Sequence, residues 1–422
     1  YRWIDQRIIQ MQKAPNDRNP VSWYAHHSPW GSCSSFMLGI TGQGGGFVTG
    51  NVQPLGRDVY IGYRRGEETP RLFPFTSTGS RDDGEIGEEA YRGEVFPPGS
   101  RHEEKMHFFT DDEISRRMGW ASDTWKAEHI VFTLFSPFGH VPEPGTTDSE
   151  TERFHFNPSV FARIEFDNTG SVRPMKGLFA LKGLRRPLSD SRSDMAGAAM
   201  GPSTGIAVVA DDSVQEVVSW SVIGSAFFGE GICHRLGTEG GLLFHIGPGE
   251  RKVYTVAISV WQDKTVTSGR KYCFYYSRLF KNLEDVLAHS LSHADRYVTL
   301  AEERDRELKE SSLPPDRQFL LAHATHSYLA NTELLADEKG NPVFVVNEGE
   351  YQMMNTLDLT VDQVYWEMVF SPWTVKNELD YFLKHYTYKD SVRSVTGEEY
   401  TGGVAFCHDQ GVADMFTPDG YS

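Results

Sequence analysis

Up to about residue 270 the apolar positions fall in short runs of strand length, with polar punctuation between them. Such runs occupy 130–135, 160–166, 205–209, 217–222 and 253–260. Ser136-Pro137 closes the first run and Asp167-Asn168-Thr169-Gly170 the second. Gly247-Pro248-Gly249-Glu250 precedes the last, and all three are combinations that reverse a chain. In Phe161-Ala162-Arg163-Ile164-Glu165-Phe166 apolar and charged side chains alternate, as on a strand with one buried face. Many short strands bounded by turns predict a large antiparallel sandwich, and the lack of a fixed repeat argues against a propeller. Gly42-Gln43-Gly44-Gly45-Gly46 lacks the spacing and lysine of a phosphate-binding loop and reads as a turn between strands. Residues 67–99 and 189–204 read as long surface loops.

Near residue 276 the period changes. Leu279, Phe280, Leu283, Val286, Leu287 and Leu291 recur at steps of three and four, which predicts helix over 277–311 with a charged, exposed end. Pro314-Pro315 breaks it, and Asp316 is placed to cap a further helix running to Leu335. Two more helices are predicted at 360–369 and 374–386. The predicted order is an N-terminal sheet domain (1–276), a helical linker (277–313) and an all-helical region (314–422).

A net charge of −17 argues against nucleic acid as a partner, because neutralising phosphates needs clustered Lys and Arg. No apolar run approaches the ~20 residues that span a bilayer, and the first twenty residues lack the apolar stretch of a signal peptide. Cys33, Cys233, Cys273 and Cys407 are scattered without C-x-x-C spacing, as reduced thiols rather than a disulfide framework or a zinc site. Together these predict a cytoplasmic location. Aromatic residues reach 13%, enough to fill a core and also to stack on sugar rings. Trp125 reads as core, and Trp373 fits either use.

The chemistry concentrates at Val343-Phe344-Val345-Val346-Asn347-Glu348-Gly349-Glu350-Tyr351, an apolar run that ends in two carboxylates separated by glycine. Packing behind such a run holds its end residues rigid, and Gly349 lets a ligand approach closely. Asn347 is a candidate donor to a substrate hydroxyl. Asp358 and Asp362 follow downstream. Clustered carboxylates suit glycoside hydrolysis, in which one attacks and another protonates the leaving oxygen. They equally suit calcium. Taken alone the residues favour a solvated turn over either use, and they do not choose between Glu348 and Glu350. His26-His27 is a poor metal pair, since neighbours on a strand face opposite ways. A hydrogen-bonded structural role or a wall of a sugar pocket fits His27 better.

The segment 345–363 (VVNEGEYQMMNTLDLTVDQ) resembles the nucleophile region of family 52 glycoside hydrolases almost residue for residue. Ala25-His26-His27-Ser28-Pro29, Asp123-Thr124-Trp125-Lys126-Ala127, Ser371-Pro372-Trp373-Thr374-Val375-Lys376-Asn377 and Phe406-Cys407-His408-Asp409-Gln410-Gly411-Val412-Ala413 agree in the same order. The resemblance implies a β + α multidomain fold: an N-terminal antiparallel β-supersandwich, a helical linker, and the first part of an (α/α)6 barrel. It implies a retaining, exo-acting β-D-xylosidase of xylo-oligosaccharides, with Glu348 as nucleophile, no metal or cofactor, and a tendency to form homodimers. By likeness to the wider clan, Asp358, His408 and Asp409 would line the sugar pocket. Gln352 and Gln410 depart from an expected arginine and methionine, which bears on substrate detail. The family's acid/base aspartate falls beyond residue 422, so the chain as given is expected to be an inactive fragment. The other readings are a related clan β-glucosidase, a truncated carbohydrate-binding remnant and a calcium-stabilised scaffold.

Overall fold

The computed structural model describes residues 21–50, 57–76, 106–229 and 236–421. The first twenty residues, positions 77–99 of the predicted loop and Cys233 lie outside the described residues. The architecture is mixed β/α and mostly sheet.

Two large sheets build the first half. The eight-stranded antiparallel sheet runs in space Arg186–Pro187, Met195–Met200, Thr204–Val209, Arg251–Val260, Ser159–Asp167, Ile130–Phe135, Ser122–Ala127, Ser115–Met118. The six-stranded sheet runs Val214–Ser219, Glu239–Ile246, Met175–Lys182, Val59–Arg65, Arg71–Leu72, His107–Phe108, antiparallel except in its last pair. Their facing sides share one apolar core, where Phe132 meets Phe179 at 5.5 Å and Phe166 meets Phe244 at 5.6 Å. The alternation along Ser159–Asp167 accounts for both faces of that strand. Val160, Ala162, Ile164 and Phe166 enter the core between the sheets. On the other face Phe161 stacks on Tyr297 of a covering helix, and Arg163 pairs with Glu302 of the same helix at 2.8 Å.

That helix is Ala294–Glu310, and it follows Leu283–Ser292, as the three-and-four spacing predicts. A second core continues from them into a third sheet, whose order is Cys273–Phe274, Thr332–Ala336, Pro342–Glu348, Met353–Met354, Asp409–Val412, Met415–Tyr421. Helices Pro315–Asn331, Leu357–Phe370 and Pro372–His385 and the hairpin Thr387–Arg393/Glu399–Phe406 belong to the same half, and a small three-stranded sheet, Ala25–His27, Ser34–Leu38, Gly46–Thr49, opens the described chain.

The strands in 332–421 correct the expected all-helical region. The helix predicted to reach Leu335 stops at Asn331. The run Thr332-Glu333-Leu334-Leu335-Ala336 then pairs with Pro342–Glu348 through a tight turn. In that turn Asp337 accepts from the Lys339 and Asn341 amides, and Gly340 takes φ +88° against the Arg278 guanidinium. Nor is Asp316 the cap: Pro314 precedes the helix, Pro315 opens it, and Asp316 sits in its first turn. Part of the predicted 189–204 loop is the strand Met195–Met200. Its alanines suit a site where Leu188 and the Ile206 carbonyl crowd Gly197. The strand predicted over 217–222 is instead Val214–Ser219, followed by a single wide helical turn at Gly224–Phe228.

Helices Leu357–Phe370 and Pro372–His385 expose Val361, Tyr365, Met368, Leu379 and Leu383, an apolar face unusual for an uncovered surface. Among the described residues no helix is long and apolar enough to cross a membrane.

Candidate active site

Strand Pro342–Glu348 buries Val343, Phe344, Val345 and Val346, which fixes its end in space. Glu348 emerges half-buried at that end. The chain reverses through Gly349–Tyr351, with Gly349 at φ +37° and Gln352 at φ +55°, and returns with Met353 opposite Glu348 and Met354 opposite Asn347. Asn355 clamps the reversal. Its side chain accepts from the Val346 amide (2.6 Å) and donates to the Phe344 carbonyl (3.0 Å) and Gln410 Oε1 (3.2 Å). Next to it, the buried Thr356 hydroxyl donates to Glu348 Oε2 at 3.0 Å, which orients the carboxylate.

Asp358 lies exposed in the first turn of helix Leu357–Phe370. The Leu357 amide donates to the His408 carbonyl (2.8 Å), and Met353 pairs with Val412, so strand Asp409–Val412 lies beside the reversal. Asp409 is buried, accepts from the Gly411 amide at 3.0 Å, and holds the exposed His408 ring through Nδ1 at 3.1 Å. The structure therefore places Asn347, Glu348, Asp358, His408 and Asp409 on adjoining segments of the third sheet and helix Leu357–Phe370. The side chain of Glu350 lies outside the described residues.

Asn347 faces inward. Its amide donates to Glu333 Oε1 (2.5 Å) and lies near the Asn331 carbonyl (3.5 Å) and Cys33 Sγ (3.7 Å), so its donor capacity is used within the protein. His27 sits apart from the group. It is fully buried at the end of strand Ala25–His27, 3.7 Å from Asp123 and edge-on to Trp125 and His326. Burial first, then the positive fields of His326 and Arg116, hold His27 well below the usual imidazole range and so uncharged. Neither tryptophan lines this site: Trp125 is core, and Trp373 donates to the Val141 carbonyl at 3.0 Å while packing on Trp30.

Two carboxyl pairs, one with an exposed member and one wholly buried, are not evident from the sequence. Burial, and then Asp414, push Glu333 up to about 7. Glu333 lies in an apolar strand and could have been flagged as a lone acid there. The second pair joins neighbouring helices. Glu367 and Glu378 are both fully buried, and Tyr328 donates to Glu367 at 3.0 Å. Were both ionised, Glu378 would have two oxygens without a partner; a proton held between the carboxyls supplies the missing donor. Burial pushes Glu367 up to about 7 and Glu378 further.

A folded-state value raised above the unfolded 4.5 means that the native state binds more protons. This pair's contribution is then fully present below about 4.5 and is lost as pH rises towards and past 7. The Glu378→Gln variant keeps a donor without the charge. It is expected to match the wild type near pH 4.5 and to be more stable by about 1–3 kcal/mol at pH 8. Denaturant unfolding at several pH values checks this, and a difference that does not change with pH would mean the pair is ionised.

Chemically, Glu348 is a half-exposed carboxylate on a rigid strand end, oriented by a hydroxyl, with Asp358, His408 and Asp409 carried at the starts of the adjoining helix and strand. Such a group can attack or stabilise a cationic carbon while its neighbours hold hydroxyls. A surface cavity lined by Arg64, Lys176, Phe227 and His245 belongs to the six-stranded sheet and contains none of these residues. The profile of Glycosyl hydrolase family 52 matches residues 36–422. The chain belongs to glycosyl hydrolase family 52. Over 408 residues it is 35% identical to a "Beta-xylosidase" of Geobacillus stearothermophilus, covering 94% of this chain and 57% of that protein. Over 433 residues it is 36% identical to a second "Beta-xylosidase" of the same organism, covering 99% of this chain and 68% of that one. The chain thus spans little more than half the length of the first relative and about two thirds of the second.

Proposed function

We propose that this chain carries the nucleophile of a retaining, exo-acting β-D-xylosidase, and that Glu348 is that nucleophile. The observation that carries the reading is the Glu348 carboxylate, fixed by the buried strand behind it and aimed by Thr356. Membership of family 52 and likeness to two proteins named as β-xylosidases support the substrate class. Glu348 attacks the anomeric carbon while a second carboxyl group protonates the departing oxygen. The resulting xylosyl ester is opened by water, and two inversions give net retention. Asp358, His408 and Asp409 hold the hydroxyls of the terminal xylose in contacts that strengthen as the ring flattens. No step draws on a metal or cofactor.

The proposed frame is a β-supersandwich (1–276), a helical linker (277–313) and part of an (α/α)6 barrel (314–422). The two large sheets over a common core support the first, and the apolar outer face of the last two helices supports packing against further helices. Hydrolysis of aryl β-xyloside and β-glucoside by the chain completed to the length of its relatives, followed by proton NMR, tests the function. Faster turnover of the xyloside with β-xylose as the first product is expected. Preference for the glucoside or first release of α-xylose would overturn it.

A further inference from the structure

Helix Ser149–His155 is inserted between strands Ile130–Phe135 and Ser159–Asp167. It packs where helices Leu283–Ser292 and Ala294–Glu310 meet at His293: Phe154 stacks on Tyr297 at 4.4 Å, and Arg153 pairs with Asp285 at 2.8 Å. His289 and His293 stand one helical turn apart with ring centroids 4.4 Å from each other. Both present a nitrogen to the same carboxylate oxygen. His289 Nδ1 lies 3.6 Å and His293 Nε2 3.3 Å from Glu150 Oε1.

The opposite ring nitrogens reveal where the hydrogens sit. Tyr297 donates its single hydroxyl hydrogen to the Phe154 carbonyl at 2.8 Å, so towards His289 Nε2, 3.4 Å away, it can only accept. Ser292 donates to the His289 carbonyl at 2.8 Å, so its oxygen, too, can only accept from His293 Nδ1 at 2.9 Å. The His289 carbonyl, 3.0 Å from the same Nδ1, is likewise an acceptor. In neutral rings both hydrogens are therefore on the outer nitrogens. Two imidazole lone pairs and a carboxylate oxygen then converge with no donor among them, all within 4.8 Å of one another. A cation resolves that repulsion. Engagement of the far nitrogen by a carbonyl or hydroxyl is also how metal-bound histidines are oriented.

We propose that Glu150, His289 and His293 form a structural site for a divalent transition metal of the zinc type. Bonds of about 2.0–2.1 Å at a tetrahedral angle set neighbouring ligand atoms roughly 3.3 Å apart, close to the 3.6 and 3.3 Å that separate the two histidine nitrogens from Glu150 Oε1. Glu150 is exposed, which leaves the fourth position to water. The Arg153–Asp285 ion pair faces His289, and its two charges largely offset each other there. The metal fastens the inserted helix to the joint of the linker helices, and the site shares no residue with the Glu348 group. The i, i+4 spacing of His289 and His293 is visible in the sequence, whereas the third ligand arrives from a distant insertion.

The test strips the chain with a chelator and titrates it with Zn2+ by calorimetry and with Co2+ by visible absorption. One equivalent of Zn2+ is expected to bind and raise Tm, and Co2+ is expected to give the intense bands of a four-coordinate ion. Glu150→Ala and His293→Ala change exposed or partly exposed side chains. Each is expected to weaken Zn2+ binding at least about 10-fold and to lose the Tm rise, while His129→Ala, elsewhere on the sheets, does neither. Unchanged binding in both ligand variants, or no binding by the wild type, would overturn the proposal, and the second outcome would leave Glu150 and His293 as a plain ion pair.

Discussion

In a chain completed to the length of its relatives, replacing Glu348 by alanine is expected to lower kcat/KM on an aryl β-xyloside by about 10^4-fold or more, close to 5.5 kcal/mol of transition-state stabilisation. In the proposed mechanism this carboxylate makes the bond that replaces the leaving group, which an alanine methyl cannot do. Strand Pro342–Glu348 is anchored by Val343 to Val346 rather than by Glu348, so the variant should fold as the wild type does. Truncation also leaves a space the size of a small anion beside Thr356. Added azide should enter it, attack the anomeric carbon and expel the aryl oxide, giving α-xylosyl azide. Restored turnover with that anomer is expected. A β-azide, or a Glu348→Ala variant that keeps more than about a tenth of wild-type kcat/KM, would move the attacking role to another residue.

Asp123→Ala is expected to cost about 3–5 kcal/mol of stability, the largest single loss foreseen outside the active site. Asp123 is fully buried and meets the buried Arg116 guanidinium at 2.5 Å through Nη2 and 3.0 Å through Nε. The guanidinium lies 3.5 Å from the Trp23 ring and 4.5 Å from Trp125, and it donates to the Trp23 carbonyl at 2.6 Å. Burial raises the Asp123 carboxyl, and the Arg116 charge opposes that rise. Without the carboxylate the buried cation keeps only the Val21, Trp23 and Gly39 carbonyls and the tryptophan faces, with no anion beside it among the described residues. The double variant Arg116→Met/Asp123→Leu removes both charges and should recover most of the loss, because apolar replacements of buried pairs are often close to neutral. Denaturant midpoints of the single and double variants decide this. Equal losses in both would show that packing, not the stranded charge, sets the cost.

The centre of the candidate site was legible because its signal is local. Four apolar residues run into Asn347 and Glu348, and the strand, the reversal at Gly349 and the helix after Thr356 follow from a few adjacent positions. The sheet-rich first half was legible for the same reason, through alternation and turn residues. Groups joined only by the fold were hidden. Glu333 meets Asn347 because two strands pair, Arg116 meets Asp123 across a hairpin, and Glu150 meets His289 and His293 from an inserted helix. Arg116, Asp123 and Glu150 look like ordinary surface charges until their partners are placed, and even Glu333, a lone acid in an apolar run, does not show what it meets. The missed end of helix Pro315–Asn331 has another cause. The short apolar run after Asn331 satisfies helix and strand patterns equally, and the Asp337–Gly340 turn decides between them. The alanines of Met195–Met200 carry little strand preference of their own, and crowding around Gly197 selects them.

The most direct measurement is covalent trapping with 2-deoxy-2-fluoro-β-xylosyl fluoride followed by peptide mass spectrometry. Fluoride departs without a proton donor, and the 2-fluorine slows hydrolysis of the ester, so the label marks whichever residue attacks. One fluoroxylosyl group on the peptide containing Glu348, absent after Glu348→Gln, is the expected result. Label on Glu350 or any other side chain, or persisting in Glu348→Gln, would contradict the assignment.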